Sequence, residues 1–419
     1  MNRLFYSLVL TLLLPVVLAY LLWRSRKAPA YRQRWGERLG LTLPKVNDAI
    51  VVHCASMGET LAAVPLIEAL RARYPDKPVL VTSFTPSGSE QVKQRFGDSV
   101  AHAYLPLDLP FITRRFIRRV RPAMVVLMET ELWPNLIHQC HRQGVPVMLS
   151  NARMSERSAR GYARFPRLTR PMLGELDAVA AQSAEDGARL VTLGLDPAKL
   201  TICGSLKFDL DLSRANLADL RQAREQGFGQ RKIWCAGSTH PGEFEQALSA
   251  HRALLRLHPD LLLLLVPRHP EQFDHAEALA QQAGFVTARR SGGDQVEESV
   301  QVVIGDTMGE LLTLYGLADA AFVGGSLIER GGHNPLEPAA LGKPVLMGPH
   351  FFNFQEIGQA LLQAGGMTLV NNADELADQL EHLLSLRKQA EQMGHQGQRV
   401  VDTNRGATER QLALASSLL

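Results

Sequence analysis

The stretch AIVVHCASMGETLAAVPLIEAL, residues 49–70, decides the fold. Ala49–Cys54 is a short β-branched run without polar alternation, as in a strand buried on both faces of a parallel sheet. Small residues follow. Then Leu61, Val64, Leu66, Ile67 and Leu70 recur at helical spacing. Strand, tight turn and helix in this order form the opening half of a βαβ unit.

The pattern repeats along the chain. Strand-like runs fall at Pro78–Phe84, Ala123–Glu129, Pro146–Asn151 and Ala178–Gln182. Others fall at Lys232–Ala236, Leu261–Val266, Val302–Gly305, Ala320–Gly324, Pro344–Met347 and Met367–Val370. Helical segments separate them. The expected class is α/β, with two Rossmann-like doubly wound domains, a cleft between them, and ligands at the carboxyl ends of the strands. A change in composition near Leu206–Gln230 marks the hinge. The expected domains are a membrane anchor with a basic segment at 1–27, an N-terminal domain at 28–205, a linker at 206–230 and a C-terminal domain at 231–419. The helical tail Asp374–Arg399 is expected to return across the hinge.

The 419 residues, 46% hydrophobic and 21% charged, exclude disorder, collagen and coiled coil. Cys54, Cys140, Cys203 and Cys235 stand singly, which argues against a disulfide framework or structural zinc and fits a reducing compartment. The net charge of +3 hides an asymmetry. Residues 24–205 carry 26 Lys+Arg against 16 Asp+Glu, and residues 206–419 carry 18 against 26. A basic front half points to an anionic partner there.

Leu4–Trp23 is an uncharged apolar run of about 30 Å as a helix, the thickness of a bilayer core. Arg24, Arg26, Lys27, Arg32 and Arg34 follow it, against Arg3 alone ahead. The positive-inside rule then puts the bulk of the chain on the cytoplasmic side. The run is too long for a signal-peptide core, and no small-x-small cleavage site follows.

Five constellations can carry chemistry. In His53–Thr60, Glu59 at a strand-to-helix turn suits a general base, and Ser56-x-x-Glu59 equally reads as a capping box. In Met128–Asn135, Glu129 ends an apolar strand, where a ligand-facing carboxylate and a helix-start acid are both consistent. Gly237–Glu243 places small residues and hydroxyls before a helix, as at an anion site or an ordinary cap. Arg268 in Val266–Pro270 lies just beyond a strand end, where it can hold a phosphate or sit in a surface turn. Gly324–Leu327 with Gly331–Pro338 lets backbone approach a ligand, and Glu337 in a first helical turn can accept from ribose hydroxyls. Asp209-Leu210-Asp211 has a metal-motif spacing but sits in the expected linker, so no obligatory metal is expected.

Arginines form two runs. Arg153, Arg157, Arg160, Arg164 and Arg167 recur at helical spacing, with Pro166 limiting the helix. Arg114, Arg115, Arg118, Arg119 and Arg121 interleave with Ile112, Phe116, Ile117 and Val120. The second run reads as a solvated helix face or as a contact with anionic lipid. Nucleic acid is not expected of a membrane-tethered chain.

With these residues on the page, the sequence resembles the 3-deoxy-D-manno-octulosonic acid (Kdo) transferase family of Gram-negative bacteria. The motifs are HCASMGET, METELWPN, SNARMSERSARGY, CGSLKFD, AGSTHPGE, VPRHPE, GGSLIERGGHNPLEPAALGKPVLMGPH and NFQEI, in order along the whole chain. The resemblance implies a GT-B glycosyltransferase that transfers Kdo from CMP-Kdo to the lipid A precursor (lipid IVA) with inversion, without a cofactor, at the cytoplasmic face of the inner membrane. It implies Glu59 as proton acceptor, and Glu129 and Lys207 as groups that stabilise the transition state. It implies CMP contacts at Pro267, Arg268, Met308, Gly309, Glu310, Asn334, Pro335, Leu336 and Glu337. Arg153, Arg157 and Arg160 are expected near acceptor or membrane phosphates. A different sugar-nucleotide transferase and a non-catalytic lipid-binding protein are the competing readings.

Overall fold

The computed structural model describes every residue except 27, 211, 213–216, 294 and 295. Lys27 of the basic segment, Asp211 and part of the expected linker therefore lie outside the described residues. Two compact units are present, Met1–Asp209 with Arg405–Leu419, and Leu210–Asn404.

The first unit holds β1 (Ile50–Cys54), β2 (Val79–Ser83), β3 (Ala101–Tyr104), β4 (Met124–Met128), β5 (Val147–Ala152), β6 (Ala178–Ala181) and β7 (Leu200–Ile202). They form one sheet in the order β3-β2-β1-β4-β5-β6-β7, and every pairing is parallel. Residues of β1, β2, β4, β5 and β6 are buried throughout, because helices cover both faces. The second unit repeats the plan with β8 (Ile233–Thr239), β9 (Leu262–Pro267), β10 (Thr287–Arg289), β11 (Val302–Ile304), β12 (Ala320–Val323), β13 (Val345–Met347) and β14 (Met367–Leu369). Its order is β10-β11-β9-β8-β12-β13-β14, again all parallel. The strand order reverses between β1 and β4 in one sheet and between β8 and β12 in the other. Those switch points are where doubly wound sheets open a crevice for ligands.

The ends of the chain depart from expectation. The helices Ala373–Ser385 and Arg387–Asn404 stay with the second unit, whereas the last helix, Ala407–Ser416, belongs to the first. It packs Ala407, Leu412 and Ala415 into the core formed by β1, β2 and β4. Its start is fixed by Asp209, whose carboxylate accepts from the Gly406 amide at 2.7 Å and the Thr408 amide at 2.5 Å. A domain of 231–419 is thus corrected by a charged cap that the sequence pattern hides. The expected 206–230 linker is likewise structured at its edges, with a 3-10 turn at Leu206–Phe208 and a helix at Leu217–Phe228.

The apolar run forms a single helix, Arg3–Arg24, long and apolar enough to cross a membrane. One stripe of it, Leu10, Leu14 and Val17, packs on Leu107, Leu109 and Ile112 of the first unit. Its polar start is bonded there too. Tyr6 donates to Asp108 at 3.1 Å, and Arg3 and Ser7 donate to Asn135 at 3.1 and 3.0 Å. The stripe of Leu4, Leu8, Leu12 and Val16 is exposed.

Candidate functional site

In the first unit, the turn after β1 and the turn after β4 flank the switch point. Ser56 caps the helix Met57–Arg73, its hydroxyl accepting the Glu59 amide at 3.3 Å. The Glu59 carboxylate reaches back, accepting the Ala55 amide at 2.8 Å and the Ser56 hydroxyl at 2.9 Å. The capping box is therefore real, and it aims the carboxylate at the switch point instead of competing with a chemical role. Burial, then the nearby Glu131 and Glu129 carboxylates, push the Glu59 carboxyl up to about 7, against the two hydrogen bonds that pull it down. A carboxylate poised near neutrality has the basicity proton abstraction needs.

Glu129 sits in the left-handed region, at φ 53°, as do Asn151 at 51° and Ser238 at 54°. Side chains other than glycine occupy that region at a cost, of order 1–3 kcal/mol each, and such residues cluster at functional sites. All three lie at carboxyl ends of strands, and Glu129 and Ser238 follow or end the switch-point strands β4 and β8. Lys207 reaches Glu129 at 3.6 Å, although 77 positions lie between them in the chain. Asn151 makes the link, since its side-chain oxygen accepts the Leu206 amide at 3.0 Å and holds the Leu206–Phe208 turn against β5. Gln411 of the last helix supports it from behind, accepting from the Ser150 hydroxyl at 2.5 Å and the Asn151 amide at 3.0 Å.

Sequence reasoning passed over Glu131. Its carboxylate accepts from the Trp133 indole at 3.0 Å and lies 3.5 Å from the buried His53 ring. Its charge is the second-largest influence on Glu59. The motif containing it was visible, but nothing in the spacing separates Glu131 from an ordinary first-turn acid.

The arginine stripe is shorter than its periodicity suggests. The helix Glu156–Ala163 carries only Arg157 and Arg160, both exposed, and Arg167 lies on the separate helix Pro166–Gly174. Arg153 precedes the first helix, and its carbonyl accepts the Thr130 hydroxyl at 2.8 Å, which ties it to the Glu129–Glu131 turn.

In the second unit, β8 and β12 flank the other switch point. The Glu243 carboxylate, wholly buried, accepts the amides of His240 at 3.1 Å, Gly325 at 2.7 Å, Ser326 at 3.0 Å and Leu327 at 3.0 Å. The amides after β12 that could have held an external anion are thus held by an internal one. Gly324 is required beside it, because a Cβ there would lie 2.6 Å from the Ser238 carbonyl oxygen.

His240 and His333 stack with ring centroids 5.1 Å apart, and their Nε2 atoms approach to 2.8 Å. One nitrogen must donate and the other accept, so the accepting ring is neutral. Burial, followed by neighbouring cationic groups including Arg268, holds His240 down at about 4 and His333 at about 3. Arg268 also bears on Glu337. Burial raises the Glu337 carboxyl, while the Asn334 amide at 3.4 Å and the Arg268 charge act the other way. Asn334 further accepts the Leu336 amide at 3.1 Å and shapes the start of the helix Leu336–Ala340, where Pro335 and Leu336 are buried. Pro267 ends β9 immediately before Arg268. Met308 and Gly309 precede the helix Leu311–Leu317, and Glu310 is held by Arg290 at 3.2 Å and by the Thr307 hydroxyl. A guanidinium, a neutral imidazole pair and a recessed carboxylate are complementary to a phosphate and a ribose.

Residues 33–210 match the family model described as 3-deoxy-D-manno-octulosonic-acid transferase (kdotransferase), and residues 231–400 match glycosyl transferases group 1. The chain is 45% identical to the 3-deoxy-D-manno-octulosonic acid transferase of Haemophilus influenzae over 100% of its own length and 99% of that protein. It is 38% identical to the Bordetella pertussis enzyme of that name, over 98% of each. Among solved structures, MurG of Acinetobacter baumannii superposes with a TM-score of 0.57 at 14% identity, over 89% of this chain and 100% of that one. UDP-GlcNAc 2-epimerase of Neisseria meningitidis gives 0.58 at 14% identity, over 88% and 100%. At such identity these two speak to the fold alone, which is that of the GT-B glycosyltransferases.

Proposed function

This chain belongs to the 3-deoxy-D-manno-octulosonic acid transferase family and is a glycosyltransferase, and on that premise we propose that it moves Kdo from CMP-Kdo to the lipid A precursor, with Glu59 as general base. The observation that carries this reading is Glu59 itself, a carboxyl raised to about 7 and fixed by two hydrogen bonds at a switch point. The acceptor hydroxyl loses its proton to that carboxylate as its oxygen attacks the anomeric carbon from the face opposite CMP. Departure of CMP builds positive charge on the sugar and negative charge on the phosphate. Glu129, paired with Lys207, is suited to the first charge and Arg268 to the second. Asn334 and Glu337 hold the nucleoside, with Pro267, Pro335, Leu336 and the Met308–Gly309–Glu310 segment shaping its surroundings. Arg153, Arg157 and Arg160 serve the phosphates of the acceptor, and guanidinium forks suit that task. Incubation with CMP-Kdo and lipid IVA, followed by mass spectrometry of the lipid, tests the reading. An unmodified lipid beside a competent reference enzyme rejects it.

The pH dependence follows from the sign of the Glu59 shift. The base works deprotonated, so transfer should climb as pH rises through about 7 and level off above it. Glu131→Gln removes a negative neighbour and should move that rising limb to lower pH. An unmoved limb would mean that another group titrates. For the nucleotide site, Glu337→Ala should weaken CMP in calorimetry while leaving lipid binding as it was. Unchanged CMP affinity would take Glu337 out of the site.

For location, the length of the helix and the basic residues after it support a single-pass anchor in the inner membrane, with both units on the cytoplasmic side. A second reading has its own observation. Arg3, Tyr6 and Ser7 are bonded to Asn135 and Asp108 of the first unit, which favours a helix lying along that unit within one leaflet. Cysteine placed at Asn2 separates the two, because all four native cysteines are buried. Labelling from the periplasm by an impermeant maleimide supports the crossing, and protection supports the docked helix.

A further inference from the structure

The helix Pro110–Val120 buries Ile112, Thr113, Phe116, Ile117 and Val120 and exposes Arg114, Arg115, Arg118 and Arg119. Among the described residues, no hydrogen bond or ion pair engages any of these four guanidinium groups. They line a cavity of about 900 Å³ whose other walls include Leu41 and Phe111. Those two apolar side chains are 62% and 63% exposed, so the cavity is cationic on one side and open and greasy on the other. Ile112 of the same helix packs in one cluster with Leu10, Leu14 and Val17 of the apolar helix Arg3–Arg24. Gln139 of the cavity lies one helical turn from Asn135, which holds the start of that apolar helix.

We propose that this cavity binds the phosphate of an anionic membrane phospholipid, with the lipid's acyl chain lying over Leu41 and Phe111. Like charges three and four apart on a helix repel one another, and a phosphate relieves that repulsion. Planar guanidinium forks grip phosphate oxygens two at a time. The neighbouring apolar helix brings the cavity to the bilayer surface whether it crosses the membrane or lies in it. None of the residues involved belongs to the transfer machinery, so the site is a docking point for the membrane and not the acceptor's.

The test uses the full-length chain and vesicles free of donor and acceptor. Partition into phosphatidylcholine vesicles is compared with partition into vesicles that also contain phosphatidylglycerol. Each arginine at an anionic surface is worth roughly fivefold, so the four should give an excess on the order of 10² after screening, falling with added salt. Arg→Gln at all four positions should remove that excess and leave partition into neutral vesicles unchanged, because the apolar helix supplies the latter. Lys at all four keeps the charge but loses the fork, and should restore only part of the excess. The proposal is overturned if the Gln variant keeps the excess, if Lys restores all of it, or if inorganic phosphate, at the same concentration as the vesicles' anionic lipid, abolishes it. The four positions are exposed, and matching thermal melts of wild type and variants check that the fold is kept.

Discussion

Glu59→Gln is expected to lower Kdo transfer by about 10²–10⁴-fold, the usual cost of losing a general base, while CMP still binds. The amide is nearly isosteric, and the cap can survive it. The amide oxygen still accepts from Ala55, and the amide nitrogen can donate to Ser56 in place of the present bond from that hydroxyl. What disappears is a basic oxygen raised to about 7. Single-turnover assays with mass detection of the lipid, beside calorimetry with CMP, measure both halves of the expectation. A rate within about tenfold of wild type would sink the assignment of Glu59 as base. The same shift has a cost in stability. Its folded value lies above the ordinary 4.5, so the native state binds more protons between those two values, and stability falls as pH rises across that window.

The second large effect concerns stability. Glu243→Ala removes a buried carboxylate from four amides that have been built around it. Each orphaned amide costs about 1–3 kcal/mol, and breaking such a buried charged cluster typically costs 3–5 kcal/mol in all. For a unit of this size that corresponds to a fall in melting temperature on the order of 10 °C. Nucleotide affinity should fall with it, because the Gly324–Leu327 turn borders His333 and Asn334. Glu243→Gln keeps one acceptor oxygen and should lie between. Scanning calorimetry decides, and a melting temperature within about 2 °C of wild type would show that the four bonds carry no net stability.

The sequence made the central strands legible and hid three of the four outer ones. β4 and β12 are continuous apolar runs, and β1 and β8 are so apart from His53 and the Gly237–Thr239 end, because helices bury both their faces. β3, β7 and β10, all unnoticed in the pattern, are sheet edges. There one side faces water, so Ala101–Tyr104 carries a histidine and Thr287–Arg289 an arginine, and the apolar signal is lost. The site divides in the same way. Glu59, Glu129 and Arg268 were legible because they follow strand ends. The pairing of Lys207 with Glu129 has no local signature, since it depends on Asn151 taking a left-handed conformation and holding a distant turn. The His240–His333 pair and the Glu243 clamp join segments more than 80 positions apart, beyond the reach of any spacing argument.

The last helix carries a consequence for biosynthesis. Ala407–Ser416 fills the core of the first unit, and Gln411 supplies the acceptor that Ser150 and Asn151 share. A ribosome delivers those residues after all of Leu210–Asn404. The first unit, although begun at the start of translation, therefore leaves its interior and the strand end behind Lys207 incomplete until the whole second unit has emerged. The nascent chain cannot complete the site around Glu59 and Glu129 ahead of its nucleotide site, and loss of residues 405–419 damages the unit whose strands are made first.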